Sequence, residues 1–390
     1  MRIIEDMKRL TALLLLIASA EVMAAAQFEI RDPDGDDVGA GELLYPNRGD
    51  LQPGDLDILS FSAENIGDGT WFAARFRNPI RSPDGEVTEL GQVPMSRIAR
   101  NGFYTFNIDV YIDTDLKPGS GRSDGLPGRK IGIHPATAWE KTVLLTPRPS
   151  VARSLLTAHF ERIEERAQRA EWGRVTSEDK ERIASQVAAR LRDDYFMPDR
   201  VRVRNHEIRF FVPSAFLGGP ASDEWAYAVV VTGAEVEQTS SLATSPENFI
   251  LMNIPVESGI NFRTFGLRDE ADPEQPPVVD YVNPRAGWQQ ARLSDYNLAR
   301  NLYASVVGVV PSGRTINVER QVTQDRPPPP APESRSEAKR PSYAGKKEAQ
   351  PIPTGESLAD RLRAIRALRD QGVLTEDEYQ TIRRRMLAEY

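Results

Sequence analysis

The 390-residue chain has a formal charge of −8, three histidines and no cysteine. The missing thiols exclude disulfides, zinc–thiolate sites, iron–sulfur clusters and a cysteine nucleophile, and His134, His159 and His206 lie too far apart in sequence for an H-x-x-x-H pair. Residues 1–26 and 356–390 are each neutral and residues 320–355 carry +3, which leaves −11 on residues 27–319; such an acidic body repels phosphates and argues against nucleic acid as a partner.

At the amino terminus, Lys8 and Arg9 precede an apolar run from Leu10 to Ala20, and Ala24-Ala25-Ala26 follows. A basic start, a short apolar stretch and small residues at a cleavage site are the parts of a secretory signal. The expectation is a signal peptide over residues 1–26, a mature chain starting near Gln27, and a periplasmic or secreted protein. Glu5 and Asp6 are unusual before such a run, and a start at Met7 gives a cleaner signal. The run is shorter than the ~20 apolar residues a membrane span needs, so the chain is not expected to be an integral membrane protein.

From Phe28 to about Pro147 the chain reads as strands and turns. Trp71, Ala73, Arg75 and Arg77 alternate with Phe72, Ala74 and Phe76, and Phe106, Ile108, Val110 and Ile112 alternate with Asn107, Asp109, Tyr111 and Asp113. Period two is the pattern of a half-buried strand. Gly67-Asp68-Gly69, Ser82-Pro83-Asp84-Gly85 and Pro118-Gly119-Ser120-Gly121 are turn signals between such runs. Residues 151–194 change period: Leu155, Leu156, His159, Phe160 and Ile163, then Ile183, Val187, Ala188 and Leu191, recur at helical spacing, with a helix start at Thr176-Ser177-Glu178-Asp179 between them. Strands resume at Val201–Val203, Ile208–Val212, Ala226–Thr232 and Ser305–Val310. The expected fold is mainly β, an antiparallel sandwich over residues 27–319 with an inserted helical hairpin.

Residues 320–355 hold eight prolines, four of them consecutive at Pro327–Pro330, and read as an extended linker. Residues 356–390 read as two short helices. Leu358, Leu362, Ile365 and Leu368 line the first, Gly372 ends it, and Thr375 with Glu378 caps the second, whose apolar face is Tyr379, Ile382, Met386 and Leu387. So small a pair leaves apolar surface for a protein partner or for self-association.

Two resemblances emerge from these residues. Asp32-Pro33-Asp34-Gly35-Asp36-Asp37-Val38-Gly39-Ala40-Gly41 followed by Tyr45-Pro46 resembles the opening of the glucodextranase C-terminal family, a DOMON-like family related to family-nine carbohydrate-binding modules. Gly54-Asp55-Leu56-Asp57-Ile58, Asn78-Pro79, Asp109–Asp113, Ala138-Trp139-Glu140, Val212-Pro213, Pro277-Val278-Val279-Asp280 and Gln289–Leu293 continue the likeness in order. The chain departs from it at Ile80, where the family has tryptophan, and in longer segments over 81–100 and the helical insertion. Residues 368–379 resemble the core of the short C-terminal helical pair called SHOCT, which implies docking or oligomerisation rather than chemistry.

Asp32, Asp34, Asp36 and Asp37 crowd a glycine-rich loop. Alternating carboxylates there either bind a hard cation such as calcium or cap turns; the family likeness raises the first reading. Asp55, Asp57, Asp109 and Asp113 are weaker candidates. Trp139, Tyr104 and Trp71 are the candidates for stacking on sugar, Trp139 being the one expected at the surface, with Trp225 and Trp288 behind them; core packing is the alternative for each. No G-x-S-x-G, H-E-x-x-H or phosphate loop is present. The expected function is non-catalytic binding of a polysaccharide or cell-envelope component, with calcium as the cofactor. An envelope scaffold acting through residues 356–390 and a hydrolase without a known motif are the alternatives.

Overall fold

A computed structural model describes residues 26–316 apart from 89–92, 118, 238–248, 260, 268–271, 273 and 301, together with residue 318. Residues 1–25 of the expected signal segment lie outside the described residues, as do the proline-rich linker and the SHOCT-like pair.

Strand β1 (Phe28–Arg31) opens the chain, and a short β2 (Leu43–Leu44) follows the aspartate-rich loop. β3 (Ile58–Ile66) and β4 (Gly69–Phe76) form a hairpin on the expected Gly67-Asp68 turn, with Ile66 opposite Gly69. A one-turn helix α1 (Met95–Ile98) precedes β5 (Phe106–Asp113), β6 (Ile131–Ile133) and β7 (Lys141–Leu145). The helical insertion is α2 (Pro149–Trp172) and α3 (Ser177–Asp194). Gly173 ends α2 with φ of 72°, and Thr176 starts α3 with a capping box, its hydroxyl accepting from Asp179 N while its own N–H donates to the Asp179 carboxylate. β8 (Tyr195–Phe196), β9 (Val201–Arg204), β10 (Glu207–Pro213), the short helix α4 (Ser214–Leu217), β11 (Ala226–Gly233), β12 (Gly266–Leu267), β13 (Val278–Tyr281), α5 (Trp288–Leu293) and β14 (Ala304–Val306) complete the order.

Two five-stranded sheets face each other. One runs β1-β3-β4-β10-β9 and is antiparallel throughout; the other runs β13-β11-β5-β7-β8, antiparallel except for the β7–β8 edge. Phe61, Phe72, Phe76 and Phe210 of the first meet Phe106, Ile108, Val229 and Val231 of the second in one core, with Phe61 stacked on Phe72 at 5.4 Å. A second core fills the other side of the second sheet. There Leu144, Val230 and Tyr281 pack under Leu156 and Phe160 of α2 and Val187 and Leu191 of α3. The first sheet therefore has a solvent face and the second has none.

This corrects one expectation. β5 is not half-buried: all eight of its residues are inaccessible. Its polar side is covered and paired inside. Arg129, itself fully buried, clasps Asp109 (Nε–Oδ2 2.6 Å) and donates to the Leu251 carbonyl at 2.7 Å and Asn253 Oδ1 at 2.8 Å, while Asn107 donates to Met252 O at 3.0 Å. A buried charge survives only with such complete pairing.

Candidate functional site

The opening loop folds back across the end of the sandwich, where β1, β3 and β13 come together. Its path requires glycine. Gly39 has φ of +58°, and a Cβ there would stand 2.8 Å from the Val278 carbonyl. Gly35 has φ of +88° and donates its N–H to Asp57 Oδ2 at 2.8 Å. The loop is further fixed by Gln289 of α5, which donates to the Asp36 and Gly39 carbonyls (2.5 and 3.3 Å), and by Gly39 N to Val279 O at 2.9 Å.

Five carboxylates converge on this spot. Asp32, Asp36 and Asp280 each point an oxygen to within 4.8 Å of the others'. Asp57 and Asp37, both fully buried, stand beside them. Some of their oxygens are satisfied: Asp280 accepts from Ile58 N and Tyr281 N (both 2.7 Å), Asp32 Oδ1 from Asn283 N (2.5 Å), and Asp37 Oδ2 from Tyr45 Oη (2.5 Å) and Gly54 N (2.6 Å). Four others are not. Asp32 Oδ2, Asp36 Oδ1, Asp37 Oδ1 and Asp57 Oδ1 are buried with no hydrogen-bond donor. An orphaned buried carboxylate oxygen is costly, and either a proton or a cation relieves it.

The titration of the cluster expresses the same strain. Burial, reinforced by the neighbouring Asp36, pushes the Asp32 carboxyl up to about 9. Burial, with Asp37 beside it, pushes Asp57 up to about 7, and burial is also the main cause of the rise of Asp36 to about 6. Asp280, enclosed and facing Asp32, lies well above the usual carboxylate range. All the donors are hard oxygens, and calcium takes six to eight such oxygens at about 2.3–2.6 Å, so ligand oxygens up to roughly 5 Å apart suit it.

The sequence candidates distribute unevenly. Asp32, Asp36 and Asp37 belong to the cluster. Asp34 does not: its side chain is exposed and pairs with Arg77 at 3.0 Å. Asp57, a weaker candidate from sequence, is inside, and Asp280 joins from the far end of the chain. Asp55 is engaged by Arg81 (3.1 Å) and Asn78 (2.9 Å); Asp109 belongs to Arg129. Asp113 sits in a second trio with Asp115 and Glu140, but its Oδ1 caps the Asp115 and Leu116 amides.

Two of the three aromatics expected to stack on sugar, Trp139 and Tyr104, are core residues, and the third, Trp71, is covered on the outer face of its sheet. Trp139, only 1% exposed, packs on Tyr111 and Tyr195 and donates its indole N–H to Asp124 O at 2.8 Å, which corrects its expected exposure. Tyr104 is buried among Met95, Ala99, Ala234 and Val236. Trp71 lies against Phe211 beneath the guanidinium groups of Arg200, Arg202 and Arg209. Trp288, a secondary candidate, is the tryptophan at an opening. It is half-buried, with Arg285 and Arg292 each 5.2 Å from its ring, and it lines a cleft of about 220 Å³ with Glu29, Arg31, Asn283, Arg285 and Arg314. The cleft adjoins the carboxylate cluster through Asn283, whose N–H donates to Asp32. A second cleft of about 330 Å³ contains Asp50, Glu86, Glu235 and Phe262, where Asp50 is clamped by Arg48 through two hydrogen bonds and is held below the usual carboxylate range.

Residues 28–308 match the family described as the C-terminal binding module, SLH-like, of glucodextranase. No curated protein matches the chain. Among the described residues, no helix is long and apolar enough to cross a membrane.

Proposed function

The chain belongs to the glucodextranase C-terminal binding-module family, and from that premise we propose that it is a non-catalytic carbohydrate-binding protein whose opening loop is organised by calcium. The observation that carries the reading is the coupling of the two features at one end of the sandwich. The orphaned carboxylates hold the loop next to Asn283, and Asn283 forms the wall of the Trp288 cleft. Calcium held by Asp32, Asp36 and Asp280, with Asp37 and Asp57 around it, neutralises the cluster and fixes that wall. Trp288 offers an apolar ring with polar neighbours, the combination that takes the C–H face of a sugar while its hydroxyls are hydrogen-bonded. The cleft is smaller than the ~300 Å³ at which enclosing ligand pockets begin, so it takes one sugar of a longer chain.

Export is part of the same proposal and rests on Lys8-Arg9, the apolar run and Ala24–Ala26; amino-terminal sequencing of the secreted or periplasmic chain should give a start near Gln27. A docking role for residues 356–390 rests on their apolar stripes; deletion should leave melting unchanged and abolish self-association or partner retention. The sugar-binding reading is tested by affinity electrophoresis through gels containing soluble polysaccharides. Calcium-loaded protein should be retarded, and Trp288→Ala or Arg285→Ala should migrate as in a sugar-free gel. Equal mobility of wild type with and without every polysaccharide would refute it.

A further inference from the structure

The solvent face of the β1-β3-β4-β10-β9 sheet differs in charge from the rest of the body. It carries Arg31, Arg75, Arg202, Arg204 and Arg209, with Arg200 beside them, against Glu29, Glu64 and Glu207. That is a net +3 on a body that is otherwise strongly acidic. Strand register sets three of these arginines in one transverse row: Arg204 opposite Glu207, Glu207 opposite Arg75, Arg75 opposite Ser60, and Ser60 opposite Arg31. Arg204, Arg75 and Arg31 are each two strands apart, roughly 10 Å, about the length of a disaccharide.

The row is kept open. Arg31 meets Glu29 only at 3.8 Å, with its own side chain 83% exposed. Glu207 stands opposite both Arg75 and Arg204, yet among the described residues neither arginine makes an ion pair with it. In the adjoining row Arg202 stands directly opposite Arg209, an arrangement of like charges that disfavours the sheet. It is held by Trp71, whose ring supports Arg202 at 4.5 Å, and by the pairing of Arg209 with Glu64. Guanidinium groups fixed on an aromatic platform lose little freedom when they bind a carboxylate. Within the row Ser60 separates Arg31 from Arg75 and Glu207 separates Arg75 from Arg204, so the stretch free of carboxylates runs from Arg75 to Arg31; in the adjoining row Ser62 and Ala73 are short, and neither serine hydroxyl makes a hydrogen bond among the described residues. At β1 the row runs into the Trp288 cleft, which Arg31 shares with Arg285 and Arg314.

Resting on the sugar-binding reading above, we propose that the ligand is an acidic polysaccharide, a chain of carboxylate-bearing sugars laid along Arg204, Arg75 and Arg31 with one residue in the Trp288 cleft. The row is one polymer chain wide. Glu29 and Glu64 bound it on one side, and the acidic body behind it repels any broad anionic surface such as a membrane or duplex nucleic acid.

The test is calorimetric titration of the full, calcium-loaded chain with hyaluronan, a soluble polymer carrying a carboxylate on alternate sugars, and with neutral dextran. The variants are Arg75→Glu/Arg204→Glu and the milder Arg75→Ala/Arg204→Ala, both in exposed side chains away from the cleft and the carboxylate cluster. Hyaluronan should bind at least tenfold more tightly than dextran in low salt and weaken as salt rises. The Glu pair should lose at least tenfold, the Ala pair less, both with unchanged melting. Dextran binding equal to or tighter than hyaluronan would overturn the charge selection and leave the sugar-binding reading standing. Hyaluronan binding unchanged in the Glu pair would overturn the row. Duplex DNA bound as tightly as hyaluronan and lost in the same variant would overturn the choice of polysaccharide. Binding of neither polymer would overturn the inference, and the gel assay above then decides the reading beneath it.

Discussion

Asp32→Asn should stabilise the metal-free protein and destroy its response to calcium. Without a cation the Asp32 carboxyl, pushed up to about 9, keeps its proton at pH 7, whereas the unfolded chain releases it near 3.8. Holding that proton costs ~1.4 kcal/mol for each pH unit between the two, at most about 4 kcal/mol, and solvent reaching the side chain reduces this to about 1–3 kcal/mol. The sign follows from the raised value. Below pH ~4 the group is protonated in both states and the substitution is neutral; the penalty on wild type grows as pH rises toward about 9. Asparagine carries no charge to suppress, and its amide places a donor among the Asp36 and Asp280 oxygens. At roughly 2–4 °C per kcal/mol, the variant should melt about 3–10 °C above wild type in chelator at pH 7. In calcium at a hundredfold excess over Kd, wild type should gain about 2.7 kcal/mol and the variant much less, so the order reverses or closes. Differential scanning calorimetry in both conditions reads it. A variant that melts below wild type in chelator, or that gains as much from calcium, would refute the reasoning.

Trp139→Ala should cost about 3–5 kcal/mol in urea unfolding, as expected for a fully buried aromatic, and should leave the polysaccharide affinity of the folded fraction unchanged. Arg129→Met should cost about 3–5 kcal/mol because it strands Asp109 in the core, while replacing Arg129 and Asp109 together with apolar residues should cost less; the two unfolding midpoints decide it. Gly39→Ala should lower the melting temperature by several degrees and weaken calcium binding, since the added methyl needs both a strained backbone and movement of the Val278 carbonyl.

The sandwich was legible in the sequence because its strands alternate and its helical hairpin carries its own helix start. Thr176 and Asp179 act locally, and that start signal read well, whereas Gly173, which ends the first helix, was not singled out. The burial of β5 was not legible, because Asn107 and Asp109 resemble solvent-facing residues until Arg129 and the 249–253 segment are folded over them. The cluster was half legible. Asp32, Asp36 and Asp37 lie within six residues, but Asp280 arrives through tertiary pairing, and Asp34 differs from its neighbours only in facing out. A signal for the rest existed: Tyr45, Asp57, Asp280 and Gln289, which meet at this one site, each lie in a piece of the collinear family pattern. The aromatics were the least legible, since a tryptophan in a core and one in a cleft look alike in sequence. Trp139 has Tyr111 and Tyr195 against it, and Trp288 has an opening.

Exposing the calcium-loaded chain to a glycan array of neutral and acidic polysaccharides, washed and read for bound protein, measures sugar binding in one step. Wild type should show saturable retention on a defined set of glycans, richest among carboxylate-bearing chains, and Trp288→Ala should lose it. A properly folded, calcium-loaded chain that is retained on no glycan would contradict sugar binding.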